Sequence, residues 1–210
     1  MISHQHKVIF VHIPKTGGQS VEHMFLDDLG LSWEERAPLL LRPNQDPKVG
    51  PRRMAHLYAD EYVSKGHVTQ EQFDSYLKFA VVRNPYDRII SEYLYRFQKT
   101  PFWKTPSAAR FLKRTYPDDF SDTARHMMPQ TRYVMDANGK LLVDHILRFE
   151  EMGEAMADLS EQIFGTRRSL PHRNKTKVDN KAKKAKLRKK LQPQIAQMYQ
   201  EDFEAFDYPV

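Results

Sequence analysis

The 210-residue sequence predicts an α/β fold, a mostly parallel central sheet with helices on both faces, forming one domain over residues 1–210. Three observations predict it. Short, β-branched apolar runs occur at Lys7–Ile13, Phe79–Val82 and His145–Phe149, all of strand length. Each is followed by a segment whose apolar residues recur at helical spacing. The first two junctions, Pro14–Gly18 and Arg83-Asn84-Pro85, carry residues that end a strand and start a helix.

Lys7–Ile13 reads as a buried strand, and His4 and His6 before it are expected in a floppy terminus. Pro14–Gly18 must turn, because proline and two glycines cannot continue a strand. Ser20–Leu29 then places Val21, Met24, Phe25 and Leu29 on one helical face. Trp33–Arg53 holds Pro38, Pro43, Pro47 and Pro51 and is expected to be irregular. Phe79–Val82 is a second strand with Arg83 at its carboxyl end. Asn84 suits a helix N-cap and Pro85 the first helical position. The helix that follows buries Ile89, Ile90, Tyr93, Leu94 and Phe97, while Asp87, Ser91 and Tyr95 share a different face. Gln98–Gln130 is rich in aromatics and has no clear assignment. After the third strand, Met152, Met156, Leu159 and Ile163 give a helix its apolar stripe. Asn180–Leu191 has only Leu187 and Leu191 on its apolar side, and Pro193 is expected to start a last helix with Ile195, Met198 and Tyr199. No repeat of solenoid or propeller length is visible.

The composition narrows the function classes. With 40% hydrophobic residues, 12 Phe and 10 Tyr, the chain can bury a sizeable core, which excludes wholesale disorder. The absence of cysteine excludes disulfide scaffolds, thiolate zinc sites and cysteine nucleophiles, and fits a reducing compartment. The apolar run at Val8–Val11 is far short of the ~20 residues of a membrane span. No signal-peptide cleavage pattern follows Met1–Lys7, so a soluble, cytoplasmic protein is expected. The net charge of +6 is localised. Twelve of the 33 Lys and Arg lie between Arg167 and Lys190 with one acid, Asp179, so the rest of the chain is mildly acidic. This basic segment, 167–190, is expected to be helical. A protein coating nucleic acid would spread positive charge over its folded body, so no nucleic-acid partner is expected.

Two stretches carry the chemistry. In His12-Ile-Pro-Lys-Thr-Gly-Gly-Gln-Ser20, a glycine turn between a strand and a helix N-terminus makes an anion site, because the first helical N–H groups lack internal partners and the dipole favours negative charge. Gly17 and Gly18 admit close approach, Lys15 adds a point charge, and Thr16 and Ser20 add hydroxyls. The bland alternative is a tight turn with incidental polar residues. Lysine precedes the glycines here, unlike the G-x-x-x-x-G-K-[ST] nucleotide loop, and no acid ends a neighbouring strand to hold Mg²⁺, so an anion bound without metal is expected. In Phe79-Ala-Val-Val-Arg-Asn-Pro-Tyr-Asp-Arg-Ile-Ile-Ser91, Arg83 emerges where open α/β sheets bind ligands, and Ser91 follows two turns into the helix. The alternative there is Arg83 paired with Asp87 and a solvated Ser91.

The pair PKTGGQS and RNPYDRIIS, about 65 residues apart, resembles the two donor-binding signatures of sulfotransferases that use 3′-phosphoadenosine-5′-phosphosulfate, most closely the carbohydrate-type branch. The likeness recurs at Lys78–Arg96, at Gln130 with Tyr133, at Asp144–Glu150, at Leu170–Thr176 and at Tyr199–Tyr208. It implies a P-loop-like three-layer fold. It also implies that Lys15, Thr16, Gly17, Gly18, Gln19 and Ser20 surround the 5′-phosphosulfate, that Arg83 and Ser91 hold the 3′-phosphate, and that Lys15 stabilises the bridging oxygen as the S–O bond breaks. Gln19 departs from the threonine usual at its position, which removes a hydroxyl contact. Leu170–Thr176 resembles a segment that closes over the nucleotide, with Arg173 and Lys175 as further phosphate contacts.

Sulfuryl transfer to a hydroxyl also needs a proton acceptor. His56 falls where the family places its catalytic histidine, with His67 and Glu61 in reserve and a helix-surface histidine as the bland reading. His12 reads as a packed residue beneath the loop, and His126, His145 and His172 as off-pattern for a base. The acceptor implied is a carbohydrate or another hydroxyl compound, recognised by Trp33–Arg53 and Gln98–Gln130. Phe97, Phe102, Trp103 and Phe111 could stack on sugars or belong to the core. Two rivals stay open: a nucleotide- or polyanion-binding module that uses the basic segment, and a divergent P-loop kinase needing Mg²⁺ and ATP.

Overall fold

The computed structural model describes residues 1–46, 48–170 and 181–210. Among these, four strands form one sheet in the order β1 (Ile2–Ser3), β2 (Val8–Val11), β3 (Leu77–Val82) and β4 (His145–Arg148). β2, β3 and β4 are parallel, with Val8 opposite Leu77 and Phe79 opposite His145. β1 runs antiparallel to β2, with Ile2 opposite Ile9. The sheet is therefore mostly parallel, as the sequence predicts.

The helices follow in chain order: α1 (Gly18–Asp28), α2 (Glu61–Ser64), α3 (Gln70–Ser75), α4 (Pro85–Arg96), α5 (Ala108–Leu112), α6 (Asp122–Met127), α7 (Thr131–Val134), α8 (Met152–Phe164), α9 (Lys181–Met198) and α10 (Gln200–Ala205). Alternation along the strands divides the core in two. Ile9, Val11, Ala80 and Val82 join Ile89 of α4, Leu191 and Ile195 of α9 and Phe203 of α10. Val8, Phe10, Phe79 and Val81 join Val21 and Phe25 of α1 and Met156 and Leu159 of α8. Strands buried on both faces have no polar side, which is why they read as continuous apolar runs. At the head of α4 the Asn84 carboxamide oxygen accepts the Tyr86 N–H at 3.0 Å and Pro85 takes the first helical position, as expected.

Three expectations are corrected. The segment before β2 is not floppy: β1 pairs there, His4 Nδ1 meets Tyr76 Oη at 2.9 Å, and His6 Nε2 meets Asp28 at 2.8 Å. Polar side chains hide this edge strand from a hydrophobicity pattern. The last helix does not start at Pro193, which lies inside α9. Proline removes one N–H and costs ~3 kcal/mol inside a helix. Lys189, whose carbonyl loses that partner, is exposed to water, and burial of Leu191 and Ile195 offsets the cost. The basic segment is not helical from residue 167. Gly165 ends α8 in the left-handed region, and Arg167 turns back to pair with Glu154 and Asp158. Of the aromatics between α4 and α6, Phe97 and Phe111 pack with Tyr93 in the core, whereas Trp103 is 80% exposed.

Since α9 docks through few apolar side chains, Ile195→Ala should destabilise the protein by roughly 2–5 kcal/mol in urea unfolding. Lys190→Ala, on the exposed side, should change stability by less than about 0.5 kcal/mol.

Candidate functional site

The loop from β2 to α1 is shaped by backbone geometry and by what lies beneath it. Lys15 and Gly17 adopt left-handed conformations, with φ of 70° and 84°. Thr16 is fully buried, and its hydroxyl donates to the Ile13 carbonyl at 2.8 Å, closing the turn from within. A side chain on Gly17 would meet the Phe149 ring at 2.8 Å. One on Gly18 would stand 2.3 Å from the His12 imidazole. No side chain caps α1 and no acid sits in its first turn, so neither offsets its positive end. Gln19 is exposed and Ser20 half-buried in that turn.

Arg83 leaves the end of β3 beside this loop. The Gln130 carboxamide grips its main chain, accepting from the Arg83 N–H and donating to its carbonyl, both at 2.9 Å. The guanidinium donates to the Lys15 carbonyl at 3.1 Å and lies 4.3 Å over the Phe149 ring, and its Nε is buried without a hydrogen-bond partner. Burial pushes its pKa down, against opposing pulls from Asp87 and Glu150. The Lys15 ammonium turns to the Tyr95 ring, 3.9 Å from its centroid. Burial lowers the Lys15 pKa, Glu92 opposes this, and Arg83, Arg53 and Arg96 lower it further. Two partly desolvated cations thus border one helix N-terminus. Ser91 is half-buried on the face of α4 between Asp87, which Arg188 of α9 approaches at 3.6 Å, and Tyr95, which carries Lys15.

The histidines gather on the other flank of the loop. His12 is stacked on Phe10, its Nδ1–H donates to the buried Glu22 at 2.5 Å, and its carbonyl accepts from His56 Nδ1–H at 3.1 Å. A carbonyl only accepts, so neutral His56 keeps its lone pair on Nε2. Burial, then the charges of His12 and His126, hold the His56 pKa well below 6.5. His126 presents its ring to His56 at 5.1 Å, and its Nδ1–H donates to Glu92 at 2.7 Å. Although burial pushes Glu92 up, His126 and Arg96 bring it down to about 2. His12, Gln19 and His56 line a cavity of about 490 Å³, completed by residues such as Trp33, Arg42 and Arg52. Neither Lys15, Arg83 nor Ser91 is among its lining residues. A hollow of about 400 Å³ at the α9–α10 junction, lined by residues such as Met198 and Glu201, holds none of these groups. Among the described residues no group of three or more His, Asp or Glu could hold a metal ion.

The reserve bases are engaged elsewhere. His67 Nε2 donates to the Val49 carbonyl at 2.7 Å, and Glu61 forms a two-pronged pair with Arg125 at 2.7 and 2.8 Å. Arg173, Lys175 and His172 lie outside the described residues. Sequence reasoning missed Glu92, Tyr95 and His126 as neighbours of the site. Tyr95 shares a helical face with Ser91, a detectable signal, whereas His126 arrives from an unassigned stretch through tertiary packing.

A family model described as "Sulfotransferase family" matches residues 1–209. Carbohydrate sulfotransferase 10 of Danio rerio is 25% identical over 181 residues, 79% of this chain and 47% of the relative. The Xenopus laevis protein of that name is 25% identical over 182 residues, 80% and 49% of the two chains. An uncharacterized protein of Archaeoglobus fulgidus is 29% identical over 125 residues, 59% of this chain and 96% of the relative. The chain spans about half the length of the two carbohydrate sulfotransferases it matches. No solved structure matches significantly.

Gly18→Ala should drive the pinned His12 ring aside, cost roughly 1–3 kcal/mol in denaturant unfolding, and shift the His56 imidazole resonances. The folded-state pKa of His56 lies below its ordinary 6.5, so under acid the unfolded chain takes up a proton that the native state refuses. Stability should therefore fall as pH drops below 6.5. His56→Gln should flatten that part of the thermal-unfolding profile.

Proposed function

This chain belongs to the sulfotransferase family, and from that premise we propose that it moves a sulfuryl group from 3′-phosphoadenosine-5′-phosphosulfate to an acceptor hydroxyl, with His56 as base. The observation that carries this reading is the meeting of Lys15 and Arg83 at one uncapped helix N-terminus, where burial makes both cations better partners for an anion than for solvent. The residues fit such a donor. The buried Nε of Arg83 lacks a partner and would donate to a phosphate oxygen, with the Ser91 hydroxyl on the facing helix. Lys15, the N–H groups of Gly17, Gly18 and Gln19 and the Ser20 hydroxyl would hold the phosphosulfate in a P-loop-like cradle, while the Thr16 hydroxyl and the Ser20 N–H serve the turn. Arg173 and Lys175 would complete the phosphate contacts. No metal seat is required.

When bound, the donor supplies an activated sulfuryl group whose bond to the bridging oxygen breaks as the acceptor oxygen bonds to sulfur. His56 Nε2 takes the acceptor's proton. Burial keeps that nitrogen unprotonated beforehand, and the His12 carbonyl fixes the ring's other nitrogen as a donor. Lys15 stabilises the negative charge left on the phosphate oxygen. The cavity of about 490 Å³ beside His56 is of the size that holds a small ligand, and we assign the acceptor to it. A carbohydrate is the acceptor class suggested by the relatives' names. The chain has no cysteine, consistent with a reducing setting such as the cytoplasm, and no described helix is long and apolar enough to cross a membrane.

Calorimetric titration should show adenosine 3′,5′-bisphosphate binding without Mg²⁺ and well ahead of ATP. Preference for Mg²⁺–ATP would favour a kinase, and salt-sensitive binding of heparin alone would favour a polyanion module. His56→Ala should lower turnover by about 10²–10⁴-fold with donor affinity near wild type. Arg83→Ala should chiefly weaken donor binding, and Lys15→Ala should impair both. Donor affinity should also fall as pH rises toward 10.5, because the lowered pKa of Lys15 strips its charge earlier than usual.

A further inference from the structure

His56 stands between two buried imidazoles, and each of these is tied to a buried carboxylate. On one side His12 donates to Glu22, and its ring lies 4.8 Å from that of His56. On the other, His126 donates to Glu92, and its ring edge meets His56 at 5.1 Å and 88°. The two sides differ in what else they touch. His12 underlies Gly18, so any change to it disturbs the anion loop. His126 belongs to α6, is 3% exposed, and is anchored by Glu92, which also accepts from Arg96 Nε at 2.7 Å. Its Nε2 is buried with no hydrogen-bond partner, 3.7 Å from Asp122. A buried polar atom left unmatched in this way is costly and calls for a compensating role.

We propose that His126, clamped by Glu92, is a positioning residue for His56: it braces the imidazole edge-on in the cavity wall and opposes a proton there until an acceptor arrives. This rests on the reading of His56 as the base. His126 touches neither donor nor acceptor. It acts through a rigid ring contact and through charge, since a positive charge on either flanking imidazole disfavours a second one between them. The charged and titratable groups around His56 are His12 with Glu22, His126 with Glu92 and Asp122, and the cations Arg53 and Arg96.

The test uses the full chain and the variants His126→Gln and Glu92→Gln. The first readout is the NMR titration of the His56 ring without substrate. The second is the acid limb of kcat with 3′-phosphoadenosine-5′-phosphosulfate as donor and a hydroxyl acceptor in excess. In His126→Gln, which replaces the ring by an uncharged amide, the His56 titration should move up toward 6.5 and the acid limb should follow it. Turnover should fall about tenfold or more, with the donor KM unchanged. Should His126→Gln fail to fold, Glu92→Gln, which removes the clamp's charge and also a partner of Arg96 and Lys15, must move both readouts. A folded variant in which neither readout moves overturns the proposal. If His56→Ala keeps full turnover, the base reading has failed instead, and the NMR titration still decides whether His126 governs His56.

Discussion

The packing of the His12 ring beneath Gly18 is the contact on which the rest of the site depends. A single imidazole fills the space that a side chain at position 18 would need, takes a buried carboxylate on its Nδ1, and offers its main-chain carbonyl to the next histidine. The glycine turn and the His56 ring are therefore two sides of one object. Glycine at 18 is required because of what lies below it, not because of the helix above, whose φ there is ordinary. Gly17 has the other reason: a left-handed backbone pressed against Phe149.

Positive charge around this object is concentrated and only partly compensated. Lys15, Arg53, Arg83 and Arg96 act on one another, and the main buried acid among them, Glu92, is shared between Arg96 and His126. Folding tolerates this because each cation has a partner. Arg53 has the Asp122 carboxylate and Arg96 has Glu92, whereas Lys15 has the Tyr95 ring and Arg83 has the Phe149 ring and a carbonyl. Such partners are weaker than a phosphate would be, which leaves the cluster receptive to an anion.

Much of this was legible in the sequence, for physical reasons. The inner strands β2 and β3 are buried on both faces and stand out as apolar runs, and the proline and glycines that close the first loop admit few other conformations. Asn84 and Pro85 announced the start of α4 by the chemistry of capping. What stayed hidden depends on tertiary contact. His4 and His6 read as tail because the edge strand beside them is only two residues long, and Pro193 reads as a helix start until packing of Leu191 and Ile195 carries the helix through it. The role of His126 is invisible in a linear pattern, since its partners Glu92 and His56 are 34 and 70 positions away. His56 was found through a family resemblance. Its tautomer and its low affinity for protons come only from the His12 carbonyl and from burial.

The carboxamide of Gln130 deserves a last thought. By gripping both main-chain groups of Arg83 it acts as a detached piece of strand, prolonging the sheet by one residue after β3 has ended. The arginine's peptide frame is thereby immobilised while its tip stays held by a ring face and one carbonyl. An incoming phosphate would find the anchorage already ordered and need to still only the last few torsions, so the loss of chain freedom on capture would be small.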